Sequence, residues 1–352
     1  MSLALNGTNG VTYNDGTLQS SAPVGRNRII NGNMTIDQRN AGAAVTGGVL
    51  VYTLDRFVSY VDTDGVMTFQ QVSDAPTGFK YSLKATATTA DASLSATQRA
   101  AIFQRIEGYN VTDFMLGSAN AVQFTASFWV KSTLTGTFGG SFQNNSSTRA
   151  YPFTYTISVA NTWEQKTVTI TGDTTGTWET TTATGLQISW GLGVGSTYSG
   201  TAGAWAAADY NSATGATSVI GTLNATWQVT GVQLETGSTA TDFENLQYGQ
   251  QLALCQRYCQ YNLQASGYST NTTTVEVPVG VMTEMRAVPT GTVINTATRV
   301  GDYGVDDRNI TALNSVFKGT INGVSVNLAV TTTTASKPQA LQGNTILFSA
   351  EL

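Results

Sequence analysis

Residues 122–131 read Val-Gln-Phe-Thr-Ala-Ser-Phe-Trp-Val-Lys and alternate between apolar and polar side chains over most of their length. Successive side chains of a β-strand point to opposite faces, so this period of two predicts a strand with one buried face. Phe124 and Phe128 fall on the apolar phase, whereas Trp129 falls on the opposite phase. A strand of this kind is typical of an inner face of a two-layered β-sandwich.

The rest of the sequence favours the same fold class. Charged residues make up 11% of the chain, against about a quarter in ordinary soluble domains. Short strand candidates recur between Gly, Asn, Asp and Thr turns, which predicts an all-β chain: an antiparallel jelly-roll β-sandwich followed by a smaller C-terminal β domain. Residues 95–101 predict a helical turn, because Ser95 and Gln98 have the spacing of a capping box. The strand candidates are 52–61, 67–72, 79–85, 102–106, 121–130, 153–159, 164–171, 186–192 and 225–234.

Four parts follow along the chain. Residues 1–25 form a short N-terminal neck or anchor segment, 26–250 the jelly roll, 251–264 a short helix and linker, and 265–352 the C-terminal β domain. The closing segment, residues 345–352, contains an apolar strand that is expected to be tied into a sheet.

Cys255 and Cys259 stand four residues apart, a spacing that suits one face of a helix. On a helix their β-carbons would lie about 5–6 Å apart. An unstrained disulfide needs a separation of about 3.8 Å. The sequence therefore predicts two packed thiols.

The composition argues against several classes of function. The chain has no histidine, the commonest general base and metal ligand, so His-dependent catalysis is absent. A net charge of −5 without a basic cluster argues against nucleic-acid binding. No apolar run approaches the roughly 20 residues that span a bilayer, and no secretory signal opens the sequence. We expect synthesis in a cytoplasm, no membrane insertion and no cofactor, apart from a structural calcium ion whose ligands the sequence does not identify.

A hairpin is predicted near the N-terminus. Val11 and Tyr13 alternate with polar residues, a turn signal that includes Asp15 and Gly16 follows, and Leu18 resumes the pattern. A hairpin this small is only marginally stable alone in water. It gains stability where several copies wind together or where another protein supplies a surface. We expect these five residues to anchor the chain and to form a homotrimer.

Two resemblances point to one kind of protein. Residues 15–22, Asp-Gly-Thr-Leu-Gln-Ser-Ser-Ala, resemble the DGT-x-Q-(S/T)-(S/T)-A segment of phage tail-fibre proteins, which forms the trimeric neck between the receptor-binding head and the tail. Residues 27–39 with 54–57, 125–131 and 226–237 resemble phage tail-fibre and hinge-type proteins with a carbohydrate-binding-module-like jelly roll.

The resemblance implies a homotrimeric tail-fibre or receptor-binding protein of the virion tail, assembled in the host cytoplasm. Its N-terminal segment would contact other tail or baseplate proteins, and its body would attach to host-surface polysaccharide. The alternative is a structural connector or decoration protein without receptor binding. A glycan hydrolase is a third hypothesis, because fold alone does not fix function.

One candidate receptor-binding region is the long loop 193–221, which carries Trp205, Tyr210, Tyr198 and Asp209. Loops of this length in compact domains tend to be functional, and aromatic faces stack on sugar rings. The alternative interpretation is that these aromatic residues fix the loop to its own sandwich or to a neighbouring protomer.

The loops of the C-terminal part compete for the receptor-binding role. Their candidates are Tyr268, Tyr303, Asp306 and Asp307, and the alternative is that these are ordinary solvated loop residues. Asp306 and Asp307 also form the one carboxylate pair considered for catalysis. Glycoside hydrolysis needs two carboxyls about 5–9.5 Å apart in a groove. Nothing in the sequence requires that arrangement, so solvated turn residues are the favoured interpretation.

Overall fold

The computed structural model describes residues 25–261 and 265–293. It also describes shorter stretches, some of them by their backbone alone. These stretches are 4–6, 10–12, 18–19, 299–302, 307–320, 323–330, 338–341 and 346–352. Strands dominate the regular structure of the described residues, which confirms the predicted all-β class.

The N-terminal stretch forms a small antiparallel sheet of β1 (Ala4–Asn6), β2 (Gly10–Thr12) and β3 (Leu18–Gln19). β2 pairs with β3, which confirms the predicted hairpin. Val11 lies in β2 and Leu18 in β3. Tyr13, Asp15 and Gly16 lie outside the described residues.

The jelly roll is built from strands that are antiparallel except for one short pair. They are β4 (Val45–Thr46), β5 (Val49–Leu54), β6 (Phe57–Asp62), β7 (Val66–Val72), β8 (Ser82–Thr89), β9 (Arg99–Glu107), β10 (Phe124–Ser132), β11 (Gly136–Gln143), β12 (Ala150–Ile157), β13 (Glu164–Ile170), β14 (Thr184–Val194), β15 (Ser199–Gly200), β16 (Ser212–Ala213) and β17 (Thr226–Thr236). Sheet I has the strand order β13-β10-β17-β8-β7-β4, and sheet II has the order β12-β11-β14-β9-β6-β5. β15 and β16 form a short parallel pair. The two six-stranded sheets confirm the predicted sandwich.

The core lies between the two sheets. Phe124, Phe128 and the other apolar-phase residues of β10 are fully buried, as their alternation predicts. Trp190 of sheet II lies edge-on to Phe128, with ring centroids 5.6 Å apart. Trp227 of sheet I is also fully buried and donates its indole N–H to the hydroxyl of Tyr155 at 3.0 Å. The buried indole therefore keeps a polar partner inside an apolar core.

Two predicted local elements are wrong. The strand predicted over 52–61 is a hairpin, because β5 and β6 are joined by a turn in which Arg56 adopts a φ of 72°. The helical turn predicted over 95–101 is shorter: the backbone N–H of Gln98 donates to the carbonyl of Ser95, and β9 begins one residue later. Residues 99–101 are extended instead, because β9 pairs with both β6 and β14.

The C-terminal part contains a helix and a second set of strands. They are α1 (Tyr248–Gln256), β18 (Cys259–Tyr261), β19 (Ala265–Asn271), β20 (Thr274–Gly280), β21 (Thr290–Val293), β22 (Arg299–Asp302), β23 (Asp307–Thr320), β24 (Gly323–Val330), β25 (Pro338–Leu341) and β26 (Ile346–Ser349). Six of them close a barrel in the order β19-β20-β24-β23-β22-β25. Alternate residues of β20 and β24 form its core.

The last strand is tied into a sheet, as predicted, because β26 pairs with both β18 and β21. Cys255 and Cys259 do not share a helix face, because α1 ends at Gln256 and Cys259 begins β18. Both thiols are free and buried, which confirms the prediction of packed thiols. The domain boundaries at residues 25, 250 and 264 stay predictions.

Asp55, in the turn between β5 and β6, is a fully buried carboxylate. It accepts hydrogen bonds from the backbone N–H of Gln38 at 2.6 Å and from the side chain of Gln38 at 3.1 Å. Burial raises the pKa of Asp55 to about 7, although these hydrogen bonds and the charge of Arg39 act in the opposite direction. The folded chain therefore holds a proton on Asp55 at pH values where an unfolded aspartate is ionised.

Phe128→Ala is expected to lower the free energy of unfolding by about 3–5 kcal/mol, because it removes a fully buried ring from the sandwich core. Trp129→Ala removes a side chain that is only half-buried and should cost less. Urea unfolding of both variants measures the difference. An equal or larger loss for Trp129→Ala would show that the register of β10 is reversed.

Asp55 predicts a pH dependence of stability. Its pKa is about 7 when folded and about 3.9 when unfolded, so the folded state binds the extra proton between these values. The contribution of this group is present in acid and is lost as pH rises from about 4 to about 7. Asp55→Asn should flatten the decline in unfolding free energy across that window. Parallel curves for the two proteins would contradict the assignment.

Candidate functional site

The outer face of sheet II carries a polar cleft. On β9 the residues Ala100 and Ile102 belong to the sandwich core. Because side chains alternate along a strand, Arg99, Phe103 and Arg105 face the other way. They line a cavity of about 130 Å³. The other residues of this lining are Leu50, Tyr60, Ala101, Gln143, Ser147, Gln187, Asp209 and Asn211.

Arg99 forms one end of the cleft, where the long loop returns over the sheet. Its guanidinium carbon lies 4.2 Å from the ring centre of Tyr60 and 3.9 Å from that of Tyr198. Nη1 of Arg99 donates to Asn211 at 2.6 Å and to Asp209 at 3.2 Å. Stacking and hydrogen bonds together fix a cation between two aromatic rings.

A chain of side-chain amides continues from this end across the sheet. Gln143 donates to Asp209 at 2.7 Å and accepts from Asn211 at 2.8 Å. Gln187 donates to Gln143 at 2.7 Å and accepts from Nε of Arg105 at 3.2 Å. β11, β14 and β9 are neighbours in sheet II, so their outward side chains meet in one row. The row presents amide and guanidinium groups in fixed positions.

The two arginines differ electrostatically. Burial opposes the charge of Arg99, but the hydrogen bond to Tyr60 and the charge of Asp209 outweigh it and raise the pKa of Arg99. Burial lowers the pKa of Arg105, and the charge of Arg56 lowers it further. Of these two arginines, Arg105 is therefore the one whose positive charge is less well compensated by its neighbours.

The lining residues given above include a single carboxylate, that of Asp209. A glycosidase of the usual kind needs a second carboxyl across the groove. Among the residues that the structure describes, no group of three or more Cys, Asp or Glu residues could hold a metal ion. In the same part of the chain, no helix is long and apolar enough to cross a membrane.

The predicted loop contributes to the cleft, but not through the two aromatic residues selected as candidates. Trp205 packs against Tyr151 and Trp178 with ring centroids 5.3 Å away in each case, and its indole N–H donates to the carbonyl of Thr171 at 2.7 Å. The ring of Tyr210 lies against Gly200 of the same loop. These contacts agree with the alternative in which the aromatic residues hold the loop on its own sandwich.

The C-terminal candidates are spread over several places. Tyr268 lies on β19, is 51% exposed, and its hydroxyl donates to Glu276 at 3.4 Å. Tyr303 and Asp306 lie outside the described residues, and Asp307 begins β23, where only the backbone is described. A receptor-binding role for these residues stays a prediction.

Sequence reasoning missed the arginines and glutamines of the cleft. The sequence signal for the arginines was the alternation within β9, where Arg99, Phe103 and Arg105 stand at alternate positions to the apolar core residues. Gln143 and Gln187 lie at distant points of the sequence and meet Arg105 only through strand pairing.

No protein-family model and no curated protein matches the sequence. Solved structures match parts of it. The enzymatically active domain of tailspike protein 4 of bacteriophage CBA120 aligns over 60% of this chain and 21% of its own, with 13% identity and a TM-score of 0.32. A family 11 carbohydrate-binding module of Clostridium thermocellum, in complex with a β-1,3-1,4-mixed-linked tetrasaccharide, aligns over 55% of this chain and 96% of its own, with 9% identity and a TM-score of 0.29.

A third structure comprises modules of Clostridium thermocellum xylanase 10B complexed with xylohexaose. It aligns over 57% of this chain and 30% of its own, with 14% identity and a TM-score of 0.26. This chain thus spans about a fifth of the tailspike chain and under a third of the xylanase chain.

Proposed function

We propose that this chain is a receptor-binding protein of a phage tail that attaches to host-surface polysaccharide through the cleft on sheet II. Its N-terminal segment would trimerise and join other tail or baseplate proteins, and the protein would reside in the virion after assembly in the host cytoplasm. The resemblance of residues 15–22 to a tail-fibre neck supports this placement.

The polar row of the cleft is the observation that carries the proposal. Sugars offer hydroxyl groups that both donate and accept, and the amide of Gln187, which donates to Gln143 and accepts from Arg105, can do the same with its remaining donor and lone pair. Tyr60 and Phe103 of the lining supply apolar surface beside the row. A few fixed polar groups beside aromatic surface are what a small-molecule or sugar site requires.

A shallow cleft binds one glycan chain weakly, and a trimer would offset this weakness. Three linked cleft copies raise the effective concentration of the second and third binding events without any new contact. The repeating structure of a polysaccharide offers each copy the same ligand.

Gln187→Ala is expected to weaken binding of the full chain to an immobilised panel of bacterial envelope polysaccharides by about tenfold, because it removes one polar contact from the row. The matched control is Gln165→Ala, an exposed glutamine on β13 of the opposite sheet, which should bind like the unchanged chain. Surface binding measurements with thermal unfolding curves separate lost contacts from lost folding.

Several outcomes would overturn the proposal. Binding that survives Gln187→Ala but fails with Tyr268→Ala would place the receptor site on the C-terminal barrel. Binding to purified phage tails with no polysaccharide bound would favour a structural connector. Release of reducing sugar from a bound polysaccharide would favour a hydrolase.

The oligomeric state is a separate expectation. Light scattering of the purified chain at micromolar concentration should give the mass of three 37.1 kDa copies, and removal of residues 1–22 should lower it. The small N-terminal sheet is expected to need partner copies. A stable monomer for the full chain would contradict the trimer.

A further inference from the structure

The lining of the cleft has more positive than negative side chains. Arg99 and Arg105 line it together with one carboxylate, Asp209. The side chains of the lining therefore carry a net charge of one positive unit, in a chain whose net charge is −5. A locally positive cleft on an acidic protein concentrates anions at that place.

Arg105 keeps one guanidinium nitrogen that could bind a ligand. Nε binds Gln187, and Nη1 donates to the main-chain oxygen of Leu352 at 2.5 Å. Nη2 has no partner among the described residues, and it is not enclosed within the protein. Burial that lowers the pKa of Arg105 means that an incoming anion would relieve an unfavourable charge.

The positions of the two arginines indicate an extended ligand. Arg99 and Arg105 are six residues apart on one strand, so their Cα atoms lie about 20 Å apart. Between them the floor is apolar, formed by Ala101 and Phe103, and the amides of the polar row stand alongside. A ligand that reaches from Arg105 towards Arg99 is an extended chain, with an acidic group at Arg105 and hydroxyl groups that can pair with the amides.

We infer that the cleft selects an acidic polysaccharide, a chain that carries the carboxylates of uronic acid units, with Arg105 as the carboxylate contact. This inference rests on the proposed function. A carboxylate can accept a charge-assisted hydrogen bond from Nη2 of Arg105, and such bonds are stronger than neutral ones. Neutral glycans would satisfy the amides but would give Nη2 of Arg105 no charged acceptor.

A substitution of Asp209 is expected to strengthen the binding of an acidic polysaccharide. Its carboxylate is one-third exposed and faces Arg99. Asp209→Asn keeps one of the two oxygens that accept from Arg99 and Gln143, and removes the negative charge that would repel a uronate chain. The variant should bind an acidic polysaccharide about tenfold more tightly and a neutral one no more tightly.

The experiment uses the full chain and an immobilised panel of bacterial polysaccharides, including uronate-containing, phosphodiester-containing and neutral polymers. Each acidic polymer that binds is tested again after chemical reduction of its carboxylates to alcohols, which changes charge and leaves the sugar backbone intact. We expect the bound polymers to contain uronate, reduction to abolish binding, and affinity to fall between about 0.05 M and about 0.5 M salt.

Variants assign the effect to the cleft. Arg105→Gln should weaken uronate binding by about ten- to a hundredfold, Arg105→Lys should restore part of it, and Lys80→Gln, an exposed charge outside the cleft, should change nothing. Binding of neutral or phosphodiester polymers, binding that survives carboxylate reduction, or weaker binding by Asp209→Asn would overturn the acidic selectivity alone. Failure of the unchanged chain to bind any polysaccharide would overturn the proposed function itself.

Discussion

The buried carboxylate of Glu351 joins the last described residues to the beginning of the jelly roll. Oε1 of Glu351 accepts from Arg39 at 2.9 Å, and Oε2 accepts from Arg56. All three side chains are largely shielded from water, and the guanidinium of Arg56 also lies 3.5 Å from the ring centre of Tyr258. Removing one partner of such a buried pair leaves a charge without compensation, at a cost of about 3–5 kcal/mol. The last residues of the chain are therefore bound to the first hairpin of the jelly roll.

The cluster of Arg39, Arg56 and Glu351 also supports the cleft. Nη2 of Arg56 donates to the carbonyl of Arg105 at 2.5 Å, and Arg105 in turn holds the main-chain oxygen of Leu352. One step away, Glu107 accepts two hydrogen bonds from Arg257, at 2.6 and 3.0 Å, and one from Tyr258 at 2.8 Å. β9 thus carries the cleft arginines on its outer face and is held at its end by the two residues that follow α1 and by the C-terminal residues. Binding and stability share this strand.

The sequence predicted the sandwich because its strands alternate with a period of two, which residues 122–131 show most clearly. It did not predict the turn at Arg56, because that residue's partner Glu351 lies 295 residues away. A local pattern carries no signal for such a contact. The buried charges Asp55 and Arg56 read as surface residues until their long-range partners are known.

The candidate site was predicted only in part, for a related reason. Length and composition identified the loop 193–221, and Asp209 and Tyr198 of this loop do reach the cleft region. Irregular backbone has no period, so nothing in the sequence told which of its aromatic residues face the sheet and which, like Trp205, hold the loop in place. The receptor-binding role of either region is still a proposal.

A crystal structure of the full chain with an oligosaccharide cut from a bound bacterial polysaccharide tests the central claim most directly. The account predicts sugar density on the outer face of sheet II, along β9 between Tyr60 and Gln187, with an acidic group at Arg105. Density on the loops of the C-terminal barrel, with the cleft of sheet II empty, would contradict it.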